Sequence, residues 1–464
     1  MSKFEFEKIL DRTQMAQKID FTSTTPTTAE DNEYTMEDDG YEADNDYRPG
    51  MTNDDENDQG ETEAEKIECL VEQGFTPKLA KQVLKARSRE NLPLTIWIVD
   101  NSASMRAKDG KQLVATRRSQ DVRFKACSRM DELKETVAYH AQLAALLEAP
   151  TKFLILNPSD NGSYPQEFSI AERGSRWLEE DMDEFIEYFP KVRPKGATPI
   201  TSHLQRIYYS LEHVKQKIVL VLATDGRPTD QVGFCSPSVD RAFVEALKML
   251  QSRAWIVVRL CTNDEKVLQY YQKLDDQLEL NLEVLDDFLD EAKEVHQHNP
   301  WLSYGLTMHR CREMGMSIHS NYRFLDWLDE RPLSRNEIGG VLKGYFGLLG
   351  NEHDSLIDLA GHSQEDWANF CSAVQTEQKK LDLQKQTTDS AEIKAFYPWN
   401  PIRKRRTHWI DISNLNRHGR KRAAVVLYML LVVPIVFVAM YLNDIPQNEI
   451  WQMVQSFLPF ETRK

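Results

Sequence analysis

An aspartate and two serines stand at alternate positions, Asp100, Ser102 and Ser104, directly after the apolar run 94–99. One carboxylate and two hydroxyls suit Mg²⁺, which prefers an octahedron of oxygens and keeps some of its waters. Because hydroxyl ligands do not neutralise the ion, a metal held by few carboxylates can accept one more oxygen from outside. The spacing therefore indicates a cation site. The competing interpretation is an Asp or Ser that caps a helix.

Two later polar residues, Thr198 and Asp225, also lie at the boundaries of predicted helices and strands. Thr198 precedes a helical stretch at 200–214, and the apolar run 217–223 is followed within two residues by Asp225. Apolar runs of this kind are typical of strands that are buried on both faces of a parallel sheet. Ligands of open α/β sheets bind beyond the carboxyl ends of such strands. We therefore expect the two acids, the serines and Thr198 to lie near one another.

Together these three loops resemble the von Willebrand factor type A (vWA) domain with its metal-ion-dependent adhesion site, and the resemblance spans 93–297. It implies that Asp100, Ser102, Ser104 and Thr198 ligate Mg²⁺, or Mn²⁺, directly or through water. It also implies that Asp225 holds a metal-bound water or coordinates at one remove. The partner would be a protein that offers a carboxylate to the metal.

An enzyme is the less favoured alternative. A metal with two acids can activate water, so a metal-dependent hydrolase is conceivable. The sequence contains no phosphate-binding loop, nucleophile elbow, zinc triad or second metal cluster. We therefore predict a binding protein without catalytic residues.

The elements that must position these residues follow from an alternation of strand-like and helical segments. Such alternation predicts an α/β fold, a doubly wound and mostly parallel sheet of Rossmann-like form. The strand-like runs are 94–99, 153–156, 217–223, 255–260 and 280–285, with an edge strand at 166–170.

Composition narrows the class of partner. The chain has 464 residues and a formal net charge of −16, which argues against nucleic acid as the main partner. Its six cysteines show no paired spacing, which indicates reduced thiols in a cytosolic setting rather than a disulfide or zinc framework.

The N-terminal part divides into two segments. Residues 1–65 are predicted to be a disordered acidic tail, because 36–65 contain thirteen acids and one arginine. This tail either solvates the protein or docks on a basic partner. Residues 66–92 are predicted to form a helical hairpin around Gly74 and Phe75. The hairpin resembles the first half of a ubiquitin-associated domain, which implies ubiquitin contact by Gly74 and Phe75. The interpretation that we favour over ubiquitin contact is that the hairpin packs on the edge of the main domain.

A basic insertion follows Ser104. Residues 105–125 carry seven bases and two acids, and Leu113–Val114 can pair with 122–124 as a hairpin. A basic lip beside the metal would favour an acidic ligand. An ordinary solvated loop is the alternative. The bases are Arg106, Lys108, Lys111, Arg117, Arg118, Arg123 and Lys125.

The C-terminal part is predicted to reach a membrane. We expect a mainly helical region at 298–390 and a basic juxtamembrane segment at 391–422. The next twenty residues, 423–442, are uncharged and are long enough to span a bilayer as a helix. A short far-side tail, 443–464, would follow. The bias of basic residues places the N-terminal bulk in the cytosol of a single-pass, tail-anchored protein. The expected anionic-lipid contacts are Arg403, Lys404, Arg405, Arg406, Arg420, Lys421 and Arg422.

Overall fold

The computed structural model describes residues 62–115, 122–278, 282–318 and 320–418. A six-stranded sheet lies at the centre of this part of the chain, in the order β5-β4-β1-β6-β7-β8. All neighbouring pairs are parallel except β4 and β5, which are antiparallel. The predicted α/β architecture with a mostly parallel sheet is therefore present. The strands are β1 (Thr95–Val99), β4 (Thr151–Ile155), β5 (Glu167–Ile170), β6 (Ile218–Thr224), β7 (Ala254–Leu260) and β8 (Leu282–Leu285).

Strand β1 shows why the sheet is covered on both faces. All five of its residues are buried, and alternate side chains enter two different hydrophobic clusters. Trp97 and Val99 pack against α3 (Arg129–Leu146) and α4 (Leu178–Tyr188), whereas Ile96 and Ile98 face the opposite layer. That second layer consists of α5 (Ile200–Ser210), α6 (Pro237–Gln251) and α7 (Glu265–Leu278).

The order of the strands creates a crevice at β1. From β1 the chain first builds β4 and β5 on one side and then β6, β7 and β8 on the other. The connection that follows β1 therefore runs towards one edge of the sheet, and the connection that follows β6 runs towards the other edge. The crevice between two such connections is where α/β sheets bind ligands. Asp100 directly follows β1, and Asp225 directly follows β6.

The basic insertion forms an antiparallel hairpin of β2 (Gly110–Ala115) and β3 (Val122–Cys127), in which Leu113 lies opposite Phe124. The hairpin lies over α3, because the Lys111 N–H donates to Glu132 Oε2 at 2.8 Å. Phe124 also meets Trp399 edge-on, with ring centroids 5.4 Å apart. Residues 116–121, which include Arg117 and Arg118, lie outside the described residues.

One hydrophobic cluster joins the N-terminal hairpin to the C-terminal helices. The hairpin consists of α1 (Glu63–Glu72) and α2 (Pro77–Arg87). Its buried side chains pack with helices that lie more than 200 residues later. These helices and the last two strands are α8 (Phe288–His298), α9 (Leu306–Glu313), α10 (Trp327–Glu330), α11 (Arg335–Gly344), α12 (Asp354–Leu359), α13 (Gln364–Thr387), α14 (Ala391–Lys394), β9 (Trp399–Asn400), β10 (Arg405–Arg406) and α15 (Ile412–Arg417).

The prediction of a membrane-spanning helix requires correction. Among the residues that the structure describes, no helix is both long and apolar enough to cross a bilayer. The segment 423–442 and the tail 443–464 lie outside the described residues, as do residues 1–61 of the acidic tail. We therefore do not retain the single-pass membrane architecture or the membrane localisation.

Two aromatic residues of the predicted juxtamembrane segment, Trp409 and Tyr397, are buried in the protein. Trp409 is 2% exposed and packs in the cluster that joins the hairpin to the C-terminal helices. Its indole N–H donates to the Ala395 carbonyl at 2.8 Å. Tyr397 is also buried, and its hydroxyl donates to Asp382 Oδ1 at 2.8 Å. These side chains stabilise the protein core.

Candidate metal centre

Pairing of β1 with β6 places the two acids side by side. Val99 lies opposite Ala223, and the Asp100 N–H donates to the Ala223 carbonyl at 3.0 Å. Asp100 therefore stands next to the end of β6, where Asp225 begins the following loop. Asp100 and Asp225 are both buried, so two carboxylates share a poorly hydrated corner of the sheet.

The serine hydroxyls connect the two acids. Ser102 Oγ and Ser104 Oγ are 2.9 Å apart, and the Ser104 hydroxyl donates to Asp225 Oδ1 at 2.7 Å. An octahedral Mg²⁺ shell with metal–oxygen distances of about 2.1 Å has neighbouring oxygens about 3 Å apart. The two serine oxygens are thus already spaced as adjacent ligands, and Asp225 Oδ1 is hydrogen-bonded to the second of them, as a residue at one remove from the metal would be. A bound cation would replace the hydrogen atoms that now hold them together.

Asp100 is held in a fixed orientation. Its Oδ1 accepts the Ser102 N–H at 2.7 Å, and its Oδ2 accepts the Thr224 hydroxyl at 2.6 Å. Burial, followed by the proximity of Asp225, raises the pKa of Asp100 to about 6, although these hydrogen bonds act in the opposite direction. The ionised carboxylate is therefore short of compensating positive charge, which a cation in this corner would provide.

The loop that carries Thr198 lies against the serine loop. The Lys195 N–H donates to the Asn101 carbonyl at 2.6 Å, and the Ala103 N–H donates to the Gly196 carbonyl at 3.1 Å. The close approach requires glycine at 196, where φ is +72° and a Cβ would lie 2.7 Å from Asn157 Oδ1. Thr198 itself is 6% exposed, and its N–H donates to Thr229 Oγ1 at 2.9 Å.

The structure thus brings all five predicted residues to one edge of the sheet, and it adds two that the sequence analysis did not assign. Thr224 orients Asp100. The feature of the sequence that could have indicated Thr224 is its position immediately before Asp225. Arg129 donates from Nη1 to Asp225 Oδ2 at 2.9 Å and from Nε to Asp109 Oδ1 at 2.7 Å. Hydrogen bonding to Asp109, with a further contribution from Asp225, raises the pKa of Arg129. No motif in the sequence indicates this pairing.

The basic hairpin is partly neutralised by the chain itself. Lys111 Nζ lies 2.7 Å from Asp287 Oδ2 and 2.8 Å from Asp290 Oδ2, so this lysine is directed towards α8. Arg106 donates from Nη2 to the Pro194 carbonyl at 2.8 Å. Lys108, Arg123 and Lys125 are exposed. The insertion therefore presents exposed basic side chains, while one of its lysines anchors the hairpin to α8.

The residues predicted to contact ubiquitin lie at the base of the hairpin. Phe75 is fully buried in the cluster shared with the C-terminal helices. Gly74 adopts φ +97°, and a Cβ there would lie 3.7 Å from Thr307 Cγ2. This geometry weighs against a Gly74-Phe75 docking surface and supports the alternative, in which the hairpin packs on the rest of the protein.

A second group of acidic side chains is already paired with an arginine of the same chain. Glu291, Glu294 and Asp329 lie close enough to hold an ion. However, Arg312 pairs with Glu291 through Nη1 and approaches Asp329 Oδ2 at 3.1 Å through Nη2. The guanidinium already provides positive charge there, so these acids are the weaker metal candidate.

Four of the basic residues expected at lipid lie in the turn after β9 and in β10. Arg403, Lys404, Arg405 and Arg406 are exposed there, and Arg403 pairs with Asp411. The other three, Arg420, Lys421 and Arg422, lie outside the described residues.

Neither a protein-family model nor a curated protein matches the chain. The functional argument therefore depends on the residues and distances described above.

Proposed function

We propose that this chain is a vWA-type binding protein that holds Mg²⁺ at Asp100, Ser102, Ser104 and Thr198, with Asp225 at one remove. A protein partner completes the metal shell with a carboxylate. The observation that carries this proposal is the chain of oxygens from Ser102 through Ser104 to Asp225, spaced 2.7–2.9 Å apart beside the buried Asp100. That spacing and the all-oxygen chemistry match a hard cation.

The division of charge suits capture of an acidic group. Two of the four proposed direct ligands are serine hydroxyls and one is a threonine hydroxyl, so only Asp100 among them supplies negative charge. Arg129 already neutralises part of Asp225 through its 2.9 Å hydrogen bond. When bound, the metal supplies a positive centre with an open position. A carboxylate from outside would meet net attraction there.

Exposure of the ligands indicates the direction of approach. Asp100 and Ser102 are buried, whereas Ser104 is exposed. The centre is therefore closed towards the sheet and open on the side of the serine loop. A partner's side chain can reach the metal from that side without unfolding any element.

The proposal is tested with Mn²⁺ as a paramagnetic probe of the full chain. We expect one Mn²⁺ to bind the wild type, to be displaced by Mg²⁺, and to be lost in Asp100→Asn. Asparagine can still accept the Ser102 N–H and can donate to Thr224 Oγ1, so the loop should stay folded. Asp358→Asn, at an exposed position of α12, is the matched control and should bind normally.

A second arm tests the role of the carboxylate. A C-terminally amidated peptide with one central glutamate and a fluorescent label that carries no carboxylate should bind metal-loaded wild type, and its glutamine analogue should not. Chelator and Asp100→Asn should each abolish the binding. Undiminished Mn²⁺ affinity in Asp100→Asn would refute the metal site. Peptide binding that persists in chelator would refute the bridging role of the metal.

A further inference from the structure

Two of the most exposed large apolar side chains in the described part of the chain stand together at the metal edge. Val232 is 78% exposed and Phe234 is 67% exposed, and both belong to the loop that follows Asp225. Isolated exposed apolar residues are ordinary on protein surfaces. A valine and a phenylalanine on one turn next to a candidate binding centre together form an exposed apolar surface. Such a surface is typical of a site that binds a partner.

The turn that presents them is rigid. Asp230 Oδ1 accepts three backbone N–H groups, from Val232 at 2.9 Å, Gly233 at 2.8 Å and Phe234 at 2.9 Å. The Asp230 N–H in turn donates to the Phe234 carbonyl at 3.0 Å. These backbone hydrogen bonds also lower the pKa of Asp230. The turn is therefore already ordered, so a partner need not supply that ordering free energy.

The same turn is attached to a proposed metal ligand. The Thr229 N–H donates to the Thr198 carbonyl at 2.9 Å, and the Thr198 N–H donates to Thr229 Oγ1 at 2.9 Å. A Cβ at Gly233 would lie 3.7 Å from Ala197 Cβ. The loop that carries the two apolar side chains is therefore attached to the Thr198 loop at the candidate metal centre.

We propose that Val232 and Phe234 form a specificity surface for the metal-bound partner, which is a protein segment with an acidic residue flanked by apolar side chains. The inference rests on the proposed function, because the metal defines where the acid sits. Rigid aromatic side chains next to a polar anchor are typical energetic centres of protein interfaces. A partner with an acid alone would leave this apolar surface in water.

The test uses three labelled peptides and the full chain loaded with Mg²⁺. The first peptide is Ser-Gly-Leu-Glu-Leu-Gly-Ser, the second replaces both leucines with serine, and the third replaces the glutamate with glutamine. We expect the leucine peptide to bind wild type about tenfold more tightly than the serine peptide, as partial burial of one leucine allows. The glutamine peptide should bind neither wild type nor variant.

The double substitution Val232→Ser and Phe234→Ser should reduce the tenfold preference to less than about twofold, while Mn²⁺ affinity stays unchanged. Leu383→Ser is the matched control, since Leu383 is 63% exposed on α13, outside the sheet. It should keep the full preference for the leucine peptide. Because both variants replace exposed side chains, normal Mn²⁺ binding also verifies that the domain is folded.

The outcomes separate the two proposals. If wild type fails to bind Mn²⁺, the proposed function fails. If Mn²⁺ binds and the two acidic peptides bind equally, the inference about Val232 and Phe234 is overturned and the proposed function stands. If Mn²⁺ binds and neither acidic peptide binds, the capture of a carboxylate fails together with the inference, and only the metal site stands. A dimer of the metal-loaded wild type that dissociates in the double variant, detected by sedimentation, would also overturn it, because the occupant would then be a second copy of the chain.

Discussion

Replacing Asp100 with asparagine should make the metal-free protein more stable while removing its response to metal. Asp100 is completely buried and lies beside Asp225, and its carboxylate has no cation of its own among the described hydrogen bonds. Asparagine has nearly the same shape and can serve both present partners, Ser102 and Thr224. The substitution therefore removes charge and leaves the hydrogen bonds in place.

The magnitude follows from the pKa of Asp100. Burial and the proximity of Asp225 raise that pKa from 3.8 to about 6 in the folded protein. Each pKa unit corresponds to about 1.4 kcal/mol, so the ionised carboxylate costs the fold about 3 kcal/mol at pH 7.5. Because the folded pKa is the higher one, this cost is absent below pH 3.8, grows as the pH rises, and is complete above pH 6. At pH 5 it should be about half as large.

Metal binding should reduce the difference in unfolding free energy between wild type and Asp100→Asn. A ligand at a hundredfold excess over its dissociation constant stabilises the folded state by about 2.7 kcal/mol. Mg²⁺ should therefore raise the unfolding free energy of wild type by a similar amount and leave Asp100→Asn unchanged. At saturation the wild type should thus approach the stability of the variant.

The assay is urea unfolding of the full chain, followed by tryptophan fluorescence in chelator and in Mg²⁺ at pH 5 and pH 7.5. Asp358→Asn on α12 is the control and should match wild type under all four conditions. The reasoning is refuted if Asp100→Asn is less stable than wild type in chelator. It is also refuted if Mg²⁺ stabilises both proteins equally.

Three further substitutions test other parts of the structure. Gly196→Ala should cost about 1–3 kcal/mol in urea unfolding and weaken Mn²⁺ binding, because φ is +72° and the new Cβ would meet Asn157; unchanged affinity and stability would contradict the loop geometry. Phe75→Ala should cost about 3–5 kcal/mol, because the ring is fully buried; retained stability would reopen the ubiquitin hypothesis. Burial lowers the pKa of His140 to about 4, so its contribution to stability is complete above about pH 6.5 and is lost as the pH falls towards 4. Between pH 7.5 and 5 wild type should lose about 2 kcal/mol more than His140→Gln, and parallel losses would contradict this account.

The elements around the candidate site were predictable because their signals are local. The apolar runs before Asp100 and Asp225 predict buried strands, and both are fully buried in the sheet. The hairpin register, with Leu113 opposite Phe124, also matches the expected pairing. Once strands are parallel and adjacent, their carboxyl ends must meet, so the approach of Asp100 to Asp225 follows from topology.

The same local signals misled where burial depends on distant partners. The resemblance to a ubiquitin-associated domain implies ubiquitin contact by Phe75, and Trp409 falls in the predicted juxtamembrane segment, yet both are buried in the cluster that joins the hairpin to the C-terminal helices. An apolar residue looks the same in sequence whether it meets a partner, a lipid or its own core. Only the packing of α1 and α2 on the C-terminal helices decides between these outcomes.

By itself the sequence determined the alternation of strands and helices, the oxygen-rich loop at Asp100, and the second acid at Asp225, because each depends on neighbours within a few residues. The tertiary structure alone decided that Arg129 pairs with Asp225 and that the loop carrying Val232 and Phe234 is hydrogen-bonded to Thr198 through Thr229. Arg129 and Asp225 are 96 residues apart, and the two loops meet only because β1 and β6 are neighbours in the sheet. Long-range contacts of this kind have no periodicity or spacing that a linear sequence can reveal.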